Sequence, residues 1–160
     1  MRVILIAAGR LKAGAERQLV ARYLERASAS ARSVGLTGVD MREIDESRAR
    51  RPEDRKAEEA RDMLALVPPG SRLCVLDERG TSWTSPAFAA EIGKARDKGT
   101  PGLALVIGGP DGVDPALRDR ADMVLALGAM TWPHQLVRVL ATEQIYRAIT
   151  ILAGHPYHRT

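Results

Sequence analysis

Apolar residues fall in short bursts along the chain, and the spacing between bursts changes from continuous to helical. Residues 3–8 (VILIAA), 72–76 (RLCVL), 102–107 (GLALVI) and 123–127 (MVLAL) show little polar alternation, as central parallel strands covered on both faces require. Residues 39–44 alternate, as a half-exposed strand does. Between them, Leu19, Val20, Tyr23 and Leu24 predict a helix over 15–33, and Pro52 opens a second helix that runs to Leu66. Ser85-Pro86 begins a third, continuing through Phe88, Ile92 and Ala95 until Gly99, and residues 115–120 make a short fourth. The longest pattern spans 133–152. There Leu136, Val137, Leu140, Ile145, Ile149 and Leu152 share helical spacing, while Arg138, Thr142, Glu143 and Arg147 fall largely between them. Pro133 is tolerated in a first turn, Thr131 is placed to cap neighbouring amides, and Gly154 ends the helix.

Strands alternating with helices predict an α/β fold: one domain over 1–160, with a mainly parallel five- to six-stranded sheet and helices on both faces. In such a sheet the loops 76–80, 108–112 and 127–132 all leave the carboxyl ends of strands, so they can line one crevice despite their separation in sequence.

Composition narrows this picture. A chain of 160 residues, 45% hydrophobic, suits a single core. The net charge of +4 favours an acidic partner, although proteins that touch no nucleic acid also reach it. The single cysteine, Cys74, excludes an internal disulfide and suits a reducing cytosol, so a cytoplasmic location is expected. The opening apolar run is too short to span a bilayer, and no membrane role is expected. Gly9 and Gly14 have the frame of a phosphate-binding loop, yet Ala15 and Glu16 stand where lysine and a hydroxyl residue are required. The dinucleotide-binding glycine motif is also missing. Without paired cysteines or a histidine pair at helical spacing, no metal is expected.

Candidate chemistry concentrates in the strand-end loops and the C-terminal stretch. Asp77 either faces a ligand or caps a turn before Gly80. The paired glycines of Gly108-Gly109-Pro110-Asp111-Gly112 either admit a ligand close to the backbone or simply make a turn. The mixed charges of 45–62 read as a solvated face, or, through Arg48, Arg50, Arg51, Arg55 and Lys56, as contacts to RNA phosphates. All three histidines lie in the final fifth of the chain. Of these, His134 reads as packed or capping in a first helical turn, and His155 as part of a turn before proline.

The motifs I-G-G-P-D-G at 107–112, M-T-W-P-H-Q-L-V-R-V-L-A-T-E-Q-I-Y-R-A at 130–148 and H-P-Y-H-R at 155–159 together resemble the RlmH family, ribosomal RNA large-subunit methyltransferases of the SPOUT superfamily. The likeness extends over the chain, including L-D-E-R-G at 76–80, while residues 13–67 share layout more than motifs. It implies a SPOUT fold whose C-terminal part threads a loop into a trefoil knot, a topology that general rules of chain connectivity would never suggest. It implies S-adenosylmethionine as cofactor, contacted by Leu76, Gly108, Gly109, Leu127, Gly128, Ala129, Met130, Thr131 and Trp132, with Trp132 as a pocket wall. It also implies methyl transfer to N3 of a pseudouridine in 23S rRNA, in the subunit-interface stem-loop of the assembled ribosome, by a homodimer.

N3 of a uracil-type base holds its proton at neutral pH, so a general base would help, and histidine suits that task. His158 is the preferred base, with Tyr157 stacking on or hydrogen-bonding the target base; a structural role docking across a dimer interface is the alternative. Arg138, Arg147 and Arg159 are the candidates for RNA phosphate contacts, with an intersubunit salt bridge the alternative for Arg138. One subunit would supply the cofactor while its partner's tail holds the RNA. The rival functions are a SPOUT methyltransferase acting on transfer RNA and a non-catalytic ribosome- or nucleotide-binding α/β module.

Overall fold

The computed structural model describes residues 1–157. Five strands, β1 (Arg2–Ala8), β2 (Gly38–Ile44), β3 (Arg72–Ser82), β4 (Gly102–Ile107) and β5 (Met123–Ala126), form one sheet in the order β2-β1-β4-β3-β5. Every pairing in it is parallel. The helices are α1 (Ala15–Ala31), α2 (Pro52–Ala65), α3 (Ser85–Asp97), α4 (Pro115–Asp119) and α5 (His134–Leu152).

Because side chains alternate across a strand, the apolar runs serve two cores. Val3, Leu5 and Ala7 of β1 join Cys74, Leu103 and Leu105 beneath α1, α3 and α5. Ile4, Ile6 and Ala8 point the other way, with Val75, Ala104 and Val106, beneath Ala60 and Met63 of α2 and Leu117 of α4. Uninterrupted apolarity in β1 and β4 is thus the mark of strands with a helix layer on each face. Cys74 is fully buried, and burial pushes its thiol up to about 12, so it acts as a small packing residue.

The element boundaries follow local chemistry. Pro52, Pro86 and Pro115 sit in first turns, where no intrahelical partner is lost. The Thr84 hydroxyl accepts from the Ala87 N–H at 3.3 Å and the Asp114 carboxylate from the Ala116 N–H at 2.8 Å, capping α3 and α4. Helix α5 ends as expected: Gly154 adopts φ 66°, its N–H reaches the Ile151 carbonyl, and the His155 N–H reaches Thr150, a Schellman closure. At the other end, Pro133 itself takes the capping position, and no side chain caps the helix. Thr131 therefore has no capping role, contrary to expectation.

The largest departure from the sequence pattern is β3. The expected strand over 72–76 continues to Ser82, and its ladder with β5 is interrupted between Leu76 and Thr81, both of which register with Leu125. Residues 77–80 form a bulge in a continuing strand, instead of a loop that leaves it. Glycine is needed at its end: a Cβ on Gly80 would lie 2.6 Å from the Leu125 carbonyl carbon. Beyond β5, α5 turns back to pack on α1 and α3 and against β1 and β4.

Candidate active site

The carboxyl ends of β3, β4 and β5 enclose an open cleft of about 520 Å³, a size typical of small-ligand sites. Leu76, Asp77, Glu78 and Arg79 form one wall, the 108–112 loop a second, and Leu127, Gly128 and residues 130–134 a third, with Lys56 and Arg118 at the rim. Of the residues expected to contact a cofactor, Leu76, Gly108, Gly109, Leu127, Gly128, Met130, Thr131 and Trp132 line this cleft together. Ala129 is exposed and does not line it. A second cavity of about 440 Å³ lies on the other side of the same segment, between Trp83, Phe88, Leu140 and Gln144, and shares Leu76, Leu127, Gly128 and Trp132 with the first. Segment 127–132 is therefore a partition between a charged cleft and an apolar one. The Trp132 indole N–H donates to the Leu127 carbonyl at 3.3 Å, closing that partition on itself.

The 108–112 loop is a tight turn that is also a cleft wall. The Gly112 N–H donates to the Gly109 carbonyl at 3.0 Å, and a Cβ on Gly108 would stand 2.7 Å from the Gly112 carbonyl oxygen. The turn role of its glycines is therefore met, and the same turn presents its backbone to the cleft. Asp77 caps its turn and also lines the cleft. Its carboxylate accepts from the Arg79 N–H at 2.9 Å, as a turn cap does, yet it lines the cleft with Arg118 3.8 Å away.

Helix α2 braces the loop from behind. Arg55 forms a two-point ion pair with Asp111 (2.6 and 3.0 Å), and its remaining N–H groups reach the carbonyls of Ala49 and Arg50. One turn on, the buried Glu59 carboxylate accepts from the Ser47 N–H at 3.0 Å and lies against the backbone of Gly109. Burial pushes its pKa above the ordinary carboxylate value, partly offset by the Ser47 donor. Sequence reasoning misses both contacts. The one signal for them is an acid in register with Ala60 and Met63 on the buried stripe of α2.

Among the described histidines, His134 lines the cleft. Burial, and then the charge of Arg138, lower its pKa, so its imidazole is neutral at pH 7. His155 instead accepts from the Tyr157 N–H through Nδ1, within the turn expected there.

Arg138 requires a correction. Expected at an RNA phosphate, or across a subunit boundary, it is 1% exposed and pairs within its own chain, with Glu43 at 2.8 Å and with the carbonyl of Ala8. The same Glu43 oxygen accepts from the Leu11 N–H at 2.9 Å, so the pair ties α5 to the ends of β1 and β2. Burial pulls the guanidinium pKa down and Glu43 opposes it. Arg147 lies on the flank of α5 away from the cleft, bonded to Glu143 at 2.7 and 2.9 Å and centred 5.1 Å from the Tyr157 ring. Tyr157 also packs on Tyr146, with ring centroids 4.8 Å apart, and its hydroxyl donates to Glu143 at 3.3 Å. Burial is the main cause that pushes its phenol up to about 12, so at neutral pH it is a hydrogen-bond donor and no base. It does not line the cleft of its own chain. His158 and Arg159 lie outside the described residues.

A family model described as a predicted SPOUT methyltransferase matches residues 1–158. Among curated relatives, the ribosomal RNA large subunit methyltransferase H of Methylorubrum populi is 59% identical over 160 residues, covering 99% of this chain and 97% of its own. Its counterparts in Brucella anthropi (56% over 160 residues, all of both chains) and Beijerinckia indica (55% over 159 residues, 99% of each) are similar throughout. The crystal structure of a probable methyltransferase from Bordetella pertussis Tohama I superposes with a TM-score of 0.51 at 12% identity, over 92% of this chain and 95% of that one, a likeness of fold alone. Parallel-sheet topology, strand-end cleft and full-length similarity agree: the chain belongs to the SPOUT methyltransferase family.

Proposed function

We propose that this protein is an S-adenosylmethionine-dependent methyltransferase of large-subunit ribosomal RNA, modifying N3 of a pseudouridine in 23S rRNA of the assembled ribosome. The observation that carries the reading is the meeting of Leu76, the 108–112 loop and the 127–132 segment at one cleft, in a chain more than half identical, end to end, to proteins named for large-subunit rRNA methylation.

The donor set fits the cofactor. Leu76, Leu127 and Trp132, common to both cavities, offer an apolar slot for adenosine. Asp77, Glu78 and Asp111 line the same cleft and suit the positive ammonium and sulfonium of its methionine part. Bound there, S-adenosylmethionine supplies an electrophilic methyl group. The chain's own work is to position the base and take its proton: the N3–CH3 bond forms as the S–CH3 bond breaks, and the N3 proton passes to the base. His158 is assigned that role, with Tyr157 holding the target base. Since Tyr157 sits on α5 away from its own cleft, we assign the tail to the cleft of a second subunit. Lys56 and Arg79 at the cleft rim are assigned to RNA phosphates, alongside Arg147 and Arg159.

A homodimer is supported by the exposed apolar side chains of Trp83, Met130, Trp132 and Leu136 around the start of α5. The trefoil threading belongs to the same reading: β5 lies at the sheet edge while α5 packs back over β1 and β4, so residues 127–133 must cross the end of β3. Cytoplasmic location follows from the ribosomal substrate.

The test is incubation of the protein with radiolabelled S-adenosylmethionine and ribosomes from cells lacking its gene, with bulk transfer RNA in parallel, followed by mass spectrometry of digested RNA. Label on N3 of a 23S rRNA pseudouridine is expected. Label confined to transfer RNA, or cofactor binding without any transfer, overturns the assignment.

A further inference from the structure

Lys56 apart, the charged segment 45–62 has no part in the function described so far. Its interior end is unusual: Glu59 is 4% exposed, and a carboxylate at that depth persists only with dedicated partners. Its hydrogen-bond donor is the backbone N–H of Ser47, in the loop before α2, and its other side lies against the backbone of Gly109 in the cleft wall. Gly109 is pressed so close that a Cβ there would lie 3.0 Å from Glu59 Oε2. Four residues earlier on the same helix face, Arg55 repeats the arrangement in opposite charge. It grips the carbonyls of Ala49 and Arg50 on one side and Asp111 of the cleft wall on the other.

We propose that Glu59 and Arg55 are positioning residues for the cofactor, a two-rung latch by which α2 fixes the 108–112 loop in the shape that receives S-adenosylmethionine. This rests on the functional reading above. Neither side chain has to touch the cofactor; both act through the loop, Glu59 by packing its carboxylate against the backbone of Gly109 and Arg55 on the carboxylate of Asp111. A loop so rich in glycine is costly to order, and ordering it before binding removes that cost from the binding step. Arg55 and Glu59 thus have a use distinct from a solvated face or an RNA-facing strip.

The test compares wild type with Glu59→Gln and Arg55→Met. Glutamine keeps the volume and an oxygen for Ser47 but removes the charge and turns an NH2 group toward Gly109, so this rung fails without a cavity. Calorimetric titration with S-adenosylmethionine should show Kd rising on the order of tenfold for Glu59→Gln and roughly two- to fivefold for the more exposed Arg55 rung. The KM for ribosomes should stay at the wild-type value. Hydrogen exchange should accelerate at Gly109 and its neighbours without spreading to β1 or β4, a localised response that loss of general stability would not produce. Should Glu59→Gln fail to fold, Arg55→Met decides alone. Variants that fold and bind S-adenosylmethionine with wild-type Kd overturn the latch. A wild-type protein that binds none overturns the functional reading, and the latch with it.

Discussion

Replacing Arg138 with methionine keeps much of the side-chain volume on α5 and deletes the charge. In the wild type the guanidinium is 1% exposed and joins Glu43 and the Ala8 carbonyl. Its loss leaves that carbonyl without this donor, and leaves Glu43 with the Leu11 N–H at 2.9 Å. Removing one member of a buried pair typically costs about 3–5 kcal/mol. Glu43 is 22% exposed, so water can reach it, and the expected loss sits at the low end, about 3 kcal/mol. For a chain of this length each kcal/mol lowers Tm by roughly 2–4 °C, which gives a fall of about 6–12 °C. Calorimetric melts should be made at one protein concentration, because dimerisation would otherwise move the midpoint. Glu43→Gln and the double variant complete a cycle, in which the double variant should lose less than the sum of the singles by about 1 kcal/mol or more. If Arg138→Met melts like wild type while its KM for ribosomes rises, the interior assignment is wrong and Arg138 meets RNA.

Lys56→Ala and Arg79→Ala should raise the KM for ribosomes and leave the S-adenosylmethionine Kd unchanged. Plotted as log affinity against log salt, the slope should flatten by roughly 0.7 for each cation withdrawn from a phosphate; an unaltered slope removes these two residues from the RNA surface. Gly80→Ala forces a Cβ to within 2.6 Å of the Leu125 carbonyl carbon. With backbone in the way instead of a yielding side chain, it should cost about 3 kcal/mol, the upper part of the overpacking range, or prevent folding. A variant of full thermal stability would show that β3 and β5 do not pair as described.

The sheet is legible in the sequence because β1 and β4 are apolar on consecutive positions, a pattern few other environments tolerate. Helix ends at Pro52, Ser85-Pro86 and Gly154 are legible because each residue acts on its own neighbours. The cleft follows from topology, since strand ends in a parallel sheet gather at one edge. Three features escape for physical reasons. The extension of β3 past Leu76 depends on a contact with β5, more than forty positions away, that makes charged residues 77–80 a bulge. Arg138 resembles a surface cation because its partners, Glu43 and Ala8, lie on strands far back in the chain. His134 reads as a packed or capping residue because a position in a first helical turn does not reveal which cavity that turn faces. The expectations of cofactor contacts and of a threaded topology come from motif resemblance, and no periodicity would suggest either.

The two tryptophans of the chain, Trp83 and Trp132, both line the apolar cavity behind segment 127–132. Indole emission shifts with the polarity and hydrogen bonding of its surroundings, so the molecule carries native optical reporters, both at the partition and none elsewhere. Trp132 is the more informative of the two, because its N–H occupies the Leu127 carbonyl. A ligand that rearranges segment 127–132 would alter that hydrogen bond, and the indole would report the arrival by a shift in its emission, without a label and on the timescale of mixing.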